Sequence, residues 1–186
     1  MVEIRKATKS DLEKVMYICR MTAGNLSIRN ELIGKVNGLT YSAYYIEHET
    51  ENCFVLCDDG EVVGYIICST DEKKFRKTFY KEYVKKIAEI SKSEARKVFC
   101  VPIPYLLLKC CYPAHLHINL LPEYQSKGYG TLMINSLLDE LKEKKVKSVM
   151  LLADAENTGA IRFYERNGFK KFITAFGGVG MYKKLR

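Results

Sequence analysis

The 186-residue sequence has no long apolar run. No stretch approaches the roughly 18 to 20 consecutive apolar residues that span a bilayer. The opening residues, MVEIRKATKSDLEK, carry a charge by the third position, which is unlike the start of a secretory signal peptide. We therefore predict a cytoplasmic protein without a membrane-spanning segment.

Metal-binding patterns are also missing. The seven cysteines include no CxxC pair, and the three histidines lack the short recurring spacings of structural zinc sites. His115 and His117 lie close to Cys110 and Cys111 in the sequence, but not at such a spacing. We expect reduced, mostly buried thiols and no bound metal.

The sequence contains no internal repeat, low-complexity segment or linker rich in proline and serine. Hydrophobic residues make up 47% of the chain and charged residues 28%, which is typical of a globular protein. The length fits one core, so we predict a single domain over residues 1–186.

The net charge of +8 favours an anionic partner, which the charge alone does not identify. Nucleic acid, a membrane surface and a phosphate-rich cofactor all meet this requirement. The lysines are distributed over several stretches and are expected to solvate helix faces. Nucleic-acid binding is therefore the minor hypothesis, and we expect a monomer or homodimer.

The first half of the chain shows strand and helix patterns. VEIRKAT alternates as a strand does, and Ser10 with Glu13 predicts a capping box before the helix LEKVMYICRMTA. Residues 25–46 look helical, with a break near Gly38. CFVLCDDGEVVGYIICS predicts a β-hairpin around the turn DDG.

Residues 72–98 predict an amphipathic helix. Its apolar face repeats every four residues, at Phe75, Phe79, Tyr83 and Ile87. This face is either a core stripe, which we favour, or a partner surface, for example one that covers the acceptor cleft. Residues 99–113 give no clear prediction.

The second half alternates strands and helices. We predict strands at AHLHINLL, VKSVMLLA, FKKFITAF and VGMYKKL, and helices at residues 129–144 and 158–167. This order indicates an α/β fold with a mixed sheet.

The run PEYQSKGYGTLM, residues 122–133, connects a predicted strand to a predicted helix. Gly128 and Gly130 remove side chains at the point where the helix presents unpaired N–H groups and its positive dipole end. An anion, most often phosphate, fits such a place; the alternative is a tight turn in which Gly128 relieves strain. A Walker loop is absent, and Met133 replaces the third glycine of a dinucleotide fingerprint.

QSKGYG resembles the Q/R-x-x-G-x-G/A pyrophosphate loop of the GCN5-related N-acetyltransferases (GNAT). The segment LLADAENTGAIRFYERNGFKKF resembles the next block of the same family, with 32 residues from Gln125 to Asn157. Within the family, the hairpin and loop look most like the acetyltransferase-like domain of protein O-GlcNAcases and its stand-alone bacterial relatives. The resemblance implies a mixed, mostly antiparallel sheet of about seven strands flanked by helices, with a helical insertion, about residues 71–113, after the third strand.

The resemblance also implies an acyltransferase that uses acetyl-CoA. It would move the acetyl group to a primary amine of a small molecule or peptide by direct attack in a ternary complex, without metal. The residues it assigns to the cofactor are Leu120, Leu121, Gln125, Ser126, Lys127, Gly128, Tyr129, Gly130, Thr131, Asn157 and Tyr164. Asn157 caps its helix, contacts the cofactor arm, or does both.

Three residues are candidates for proton transfer. Tyr164 stands at the family's tyrosine position, whose hydroxyl protonates the departing thiolate; the alternative is a tyrosine that only packs on the sheet. His115 and His117 share one strand face and are candidate bases, or they fill a half-buried face. The alternative function is a catalytically degenerate CoA-binding or protein-interaction module.

Overall fold

A mixed β-sheet forms the centre of the protein in a computed structural model that describes residues 1–104, 111–175 and 177–186. Its seven strands are β1 (Val2–Lys6), β2 (Phe54–Asp58), β3 (Glu61–Ser69), β4 (Ala114–Leu120), β5 (Ser148–Asp154), β6 (Lys170–Ala175) and β7 (Gly178–Lys184). They lie in the order β1-β2-β3-β4-β5-β7-β6, and only β4 and β5 run parallel. The predicted sheet is confirmed; Cys110 and the last residue of the predicted strand 169–176 lie outside the described residues.

Helices cover both faces of this sheet. In the described ranges they are α1 (Leu12–Thr22), α2 (Asn25–Arg29), α3 (Glu31–Gly38), α4 (Tyr44–His48), α5 (Glu72–Thr78), α6 (Val84–Ile90), α7 (Lys92–Val98), α8 (Tyr129–Glu143) and α9 (Thr158–Arg166). Helices α1 and α4 contact β3, and α8 contacts β2, β3 and β4. None of these described helices combines the length and apolarity needed to cross a bilayer.

Alternating side chains divide the interior into two hydrophobic clusters, one on each face of the sheet. On β2, Val55 and Cys57 belong to one cluster and Leu56 to the other. On β5, Met150 faces the first cluster, while its neighbours Val149 and Leu151 face the second. Successive side chains of a strand point to opposite faces, so a sheet covered on both sides reads as a continuous apolar run.

The predicted reduced thiols fit this interior. The described cysteines are free, and four of them are buried, namely Cys19, Cys53, Cys57 and Cys68. Cys100 and Cys111 are exposed. Burial raises the pKa of Cys53 to about 12, so this thiol stays protonated and unreactive at neutral pH.

The predicted hairpin is formed by β2 and β3, which pair antiparallel. Its turn residues Asp59 and Gly60 have φ angles of 47° and 85°. Two consecutive positive φ angles are the signature of the type I′ turn, whose twist matches that of the flanking strands.

The predicted capping box at Ser10 and Glu13 is wrong. A 3₁₀ turn, Lys9–Asp11, precedes α1, and Thr8 takes the capping position. The Thr8 N–H donates to Asp11 Oδ2 at 2.7 Å, and Arg5 donates to both Asp11 oxygens at 2.8 Å. The helical segment therefore begins two residues earlier than the pattern indicated.

The helical region at residues 31–48 does not break at Gly38. A π-helical turn, Leu39–Ala43, joins α3 directly to α4. Within it, the Thr40 and Ser42 hydroxyls donate to the carbonyls of Val36 and Gly38 at 2.7 and 2.8 Å. These bonds satisfy buried side-chain donors, which lets two polar residues sit inside the core.

Glu49 fastens the end of α4 to the end of β3. Its carboxylate is 3% exposed and accepts from the Tyr44 hydroxyl at 2.7 Å, the Ser69 hydroxyl at 2.6 Å and the Thr70 N–H at 2.9 Å. Asn52 Nδ2 adds a bond of 3.1 Å. A buried carboxylate is tolerated where donors surround it in this way.

The segment 72–98 contains three α-helices rather than one. Helices α5 and α6 are joined by a π-helical turn, Phe79–Tyr83, and Ser91 ends α6 and caps α7 by accepting from the Glu94 N–H at 3.4 Å. In an α-helix of 3.6 residues per turn, four residues correspond to about 400°, so each apolar residue of the stripe would lie about 40° further around the helix than the one before it. The wider π turn, with its i→i+5 bonds, reverses part of this drift and keeps the stripe on one face.

The stripe itself belongs to the core. Phe75, Phe79, Tyr83 and Ile87 are each 0–1% exposed and lie in the same cluster as α1 and β3 side chains. The Phe75 and Phe79 ring centroids are 5.7 Å apart, and Phe75 stands 4.8 Å from Tyr44. Of the two interpretations, core packing is therefore the observed one.

We expect Phe79→Ala to lower the free energy of unfolding by about 3–5 kcal/mol, because the truncation leaves a cavity in a filled core. Chemical denaturation followed by circular dichroism measures this loss. Phe99→Ala is the matched control, since Phe99 is 55% exposed, and it should cost less than about 1 kcal/mol. Equal losses in the two variants would contradict core packing of the stripe.

Candidate active site

The parallel strands β4 and β5 separate partway along their length. They pair only at Ala114 with Val149 and at His115 with Met150, yet β4 continues to Leu120. The N–H of Leu121 donates to Val63 O at 2.9 Å, on the β3 side. Since successive residues of a strand direct their backbone groups to alternate sides, the N–H groups of Ile118 and Leu120 face the gap.

A cleft of about 800 Å³ opens at this gap. Its wall is formed by the end of β4, the loop that precedes α8, the start of α8, and one side of α9 with its N-cap residue. The lining residues are Ile118, Asn119, Leu120, Tyr124, Gln125, Ser126, Gly128, Gly130, Thr131, Asn157, Gly159, Ala160, Arg162, Phe163, Tyr164 and Arg166.

The loop before α8 presents unpaired backbone donors. The N–H groups of residues 126–130 donate to no acceptor among the described residues, and α8 has no side-chain N-cap bond. Ser126 and Gly128 have φ angles of 60° and 86°, which turn the chain sharply into the helix. Such an arrangement of N–H groups at a helix N-terminus binds anions, phosphate above all.

The two glycines of this loop differ in what surrounds them. A Cβ atom on Gly128 would meet nothing within 4 Å, so the space beside this residue is open. On Gly130 it would stand 3.0 Å from Phe163 Cζ. At Gly128 the positive φ angle favours glycine and the missing side chain keeps the space beside the loop open. At Gly130 a side chain would collide with the Phe163 ring.

Two side chains hold the loop in place. Gln125 Nε2 donates to Leu120 O at 2.8 Å, which satisfies a carbonyl that β5 leaves unpaired. The Tyr124 hydroxyl donates to Asp58 Oδ2 of β2 at 2.9 Å. The loop geometry is therefore fixed without a ligand.

Helix α9 supplies the facing wall and its positive charge. Asn157 Oδ1 accepts from the Ala160 N–H at 2.9 Å, so this residue caps α9 and also lines the cleft. The Arg162 and Arg166 side chains line the same wall and are exposed. Sequence reasoning missed these two arginines, although their spacing with Gly159 and Phe163 marks one helix face.

Tyr164 is one of the residues that line the cleft. Its ring centroid is 5.3 Å from that of Phe163 and 5.8 Å from that of Phe169. Burial raises the pKa of its hydroxyl to about 12, so the phenol keeps its proton at neutral pH.

His115 and His117 do not line the cleft. His115 is 2% exposed and its ring stands 4.7 Å from that of Phe75; the His117 ring lies 5.5 Å from that of Tyr45. Burial lowers the pKa of both, that of His117 to about 4. Alternation along β4 turns these side chains into the aromatic cluster, so the structure does not support the prediction that they act as bases.

Three residues predicted for the cofactor also lie outside the lining, namely Leu121, Lys127 and Tyr129. Leu121 uses its N–H on Val63 and its carbonyl on the Tyr124 N–H, so it has no free backbone group for a ligand. In the part of the chain that is described, no group of three or more His, Cys, Asp or Glu side chains converges as metal ligands.

Comparison with known proteins agrees with this architecture. The family model described as "Acetyltransferase (GNAT) family" matches residues 28–169. The crystal structure of SsHAT has a TM-score of 0.90 and 29% identity, covering 100% of this chain and 98% of that one. The PaiA N-acetyltransferase of Thermoplasma acidophilum, solved in complex with coenzyme A, has a TM-score of 0.66 and 20% identity over 99% of both chains, a likeness of fold.

A curated relative is the uncharacterized N-acetyltransferase MJ1207 of Methanocaldococcus jannaschii, with 25% identity over 146 residues. The match covers 78% of this chain, which spans half the length of that relative. The finer likeness to O-GlcNAcase domains stays a prediction. The family model matches more than half of the chain and shows that the chain belongs to the GNAT family of acetyltransferases, a result that the sheet order and the parted strands fit.

Proposed function

We propose that this chain transfers an acetyl group from acetyl-CoA to a primary amine, by direct attack of the amine within a ternary complex. The observation that carries this proposal is the gap between β4 and β5, which ends at a loop of unpaired N–H groups. A long ligand with an anionic segment and an amide-rich arm suits both parts of the cleft. We further propose that residues 1–186 act as one acetyltransferase domain.

The anionic part of acetyl-CoA would bind at the loop. The N–H groups of residues 126–130 and the dipole of α8 would hold the pyrophosphate. Arg162 and Arg166 add positive charge on the opposite wall of the cleft, and the ammonium of Lys127 lies beside the loop, 5.7 Å from the Tyr124 ring centroid. These three charges favour a polyphosphate over a neutral ligand.

The unpaired backbone of β4 would bind the pantetheine arm of acetyl-CoA and its acetyl thioester. The Ile118 and Leu120 N–H groups would donate to amide carbonyls of the arm, in place of the bonds that β5 does not make. One of them would donate to the thioester oxygen, where it stabilises the negative charge that develops during attack. Bound acetyl-CoA supplies an activated acetyl thioester, so this chain needs no covalent intermediate.

Two proton transfers complete the reaction. Among the described residues that line the cleft there is no Asp, Glu or His. We therefore propose that the attacking amine gives its proton to water. The Tyr164 hydroxyl would donate its proton to the departing sulfur. A pKa of about 12 keeps this donor protonated, but it makes Tyr164 a weaker acid than a free phenol near 10. The phenolate left after the transfer would therefore take a proton back from water.

We expect acetyl-CoA to raise the melting temperature of the wild type, and Gly128→Asp to abolish this shift. At a hundredfold excess over Kd the ligand stabilises the native state by about 2.7 kcal/mol. The aspartate would place a negative charge in the open space beside the loop. Differential scanning fluorimetry measures both effects.

Gly60→Asp is the matched control for this variant. Gly60 has a φ angle of 85° and open space around it, as Gly128 has, but it lies in the β2–β3 turn. It carries the same backbone strain and should keep the acetyl-CoA shift. A shift that persists in a folded Gly128→Asp protein would overturn the assignment of the loop.

We expect Tyr164→Phe to lower kcat by about 10²–10⁴ while the Kd for acetyl-CoA changes less than about threefold, since positioned proton transfer contributes that much. The rate at which the CoA thiol is released, measured with an amine that an acceptor screen has identified, gives kcat. Isothermal titration calorimetry with acetyl-CoA gives Kd. Because the folded pKa is about 12, the wild type should show no loss of rate from tyrosine ionisation below about pH 10.

Tyr17→Phe, at a tyrosine that is 50% exposed, controls for the loss of a hydroxyl and should keep full activity. If Tyr164→Phe matches the wild type at every pH, Tyr164 is not the proton donor. If the wild type binds acetyl-CoA but acetylates no amine, the degenerate binding module is the correct function.

A further inference from the structure

The positive charge of the protein is concentrated in one segment. Residues 72–98 contain ten of the 30 Lys and Arg residues but only four of the 22 acidic ones. This surplus of six accounts for most of the net charge of +8. The segment forms α5, α6 and α7, and none of its residues lines the cleft.

Four of these cations form a row on the outer side of α5, α6 and the π-helical turn between them. All four are exposed lysines that repeat every four residues, namely Lys73, Lys77, Lys81 and Lys85. The buried stripe from Phe75 to Ile87 has the same repeat, and each lysine lies two positions before a residue of that stripe. Two positions are about 200° around the helix. The π turn that keeps the apolar stripe in line therefore also aligns the lysines, on the opposite face.

Acidic side chains of the described residues do not neutralise the row. Among the described residues, none of its four ammonium groups forms an ion pair or hydrogen bond with the protein. Two of the four acidic residues are occupied elsewhere: Glu72 is 5% exposed and bonds Arg76 at 2.8 Å, and Glu94 bonds Lys97 at 2.7 Å. The charge of the row is therefore available to a partner.

The row is also rigid and regular. A rise of 1.5 Å per residue places the lysines about 6 Å apart over a length of about 18 Å. The other face of the same helices is anchored in the core, so binding requires no ordering of the backbone. Double-stranded DNA carries one phosphate per strand every 3.4 Å of its axis, so a row of this length spans about five base pairs.

We propose that the lysine row is a docking surface for the phosphate backbone of double-stranded nucleic acid, bound without base readout. Membrane insertion needs an exposed apolar face, and the apolar face of these helices is buried in the core. Single strands are held by aromatic stacking, and the row carries only lysines. The lysines of the row are exposed on a helix face, as the sequence analysis expects, and the proposal adds a function to their alignment.

Fluorescence anisotropy with a labelled 20-base-pair DNA duplex, at several KCl concentrations, tests the proposal. We expect the logarithm of the binding constant to fall with the logarithm of the salt concentration, with a slope near −3.6 for four contacts. Lys77→Gln with Lys81→Gln should reduce the slope by about 1.8 and leave the acetyl-CoA melting shift unchanged.

Lys9→Gln with Lys170→Gln is the matched control. These lysines are exposed, lie outside the row, and remove the same two charges. This variant should keep the wild-type slope. If the Lys77 and Lys81 variant unfolds, Lys73→Gln with Lys85→Gln replaces it with the same expected change.

Three results would overturn the proposal. The first is the absence of duplex binding by the wild type at low salt. The second is an equal loss of slope in the row variant and in the control, which would indicate net charge rather than a surface. The third is stronger binding to anionic lipid vesicles or to a polyglutamate peptide than to the duplex.

Discussion

The parting of β4 from β5 is the constraint on which the candidate site depends. Two parallel strands inside a sheet normally satisfy each other's backbone groups, and here they do so at only two positions. A backbone N–H or carbonyl without a partner costs free energy when water is excluded. Gln125 repairs one such group, the Leu120 carbonyl, and the remaining N–H groups open into the cleft.

The loop before α8 and the strand end form one unit because of these bonds. Gln125 connects the loop to β4, Tyr124 connects it to β2, and Gly130 accepts the Phe163 ring of α9. Each contact fixes a different wall of the cleft relative to the others. The proposed anion site is therefore preorganised, and a ligand would not have to order the loop.

The helices between β3 and β4 show how one periodicity serves two surfaces. A repeat of four residues does not suit a regular α-helix, and the π turn at Phe79–Tyr83 resolves the mismatch for the buried stripe. The exposed lysines follow the same repeat, so the same turn aligns them. Packing inside and charge outside thus depend on a single irregularity of the backbone.

Local patterns in the sequence predicted the strands, the hairpin turn and the glycine-containing turn before α8, because each depends on local periodicity or on residues with special backbone angles. The remaining features depend on the folded structure, which brings together residues that are distant in sequence. It packed His115 and His117 against aromatic rings, enclosed Glu49 in donors from two elements, and brought Arg162 and Arg166 to the cleft. It also gave the two loop glycines different surroundings, since only Gly130 contacts Phe163, 33 positions further along the chain. Burial and long-range contact set the pKa values and the accessibility of these groups, and neither is encoded in the spacing of residues along the chain.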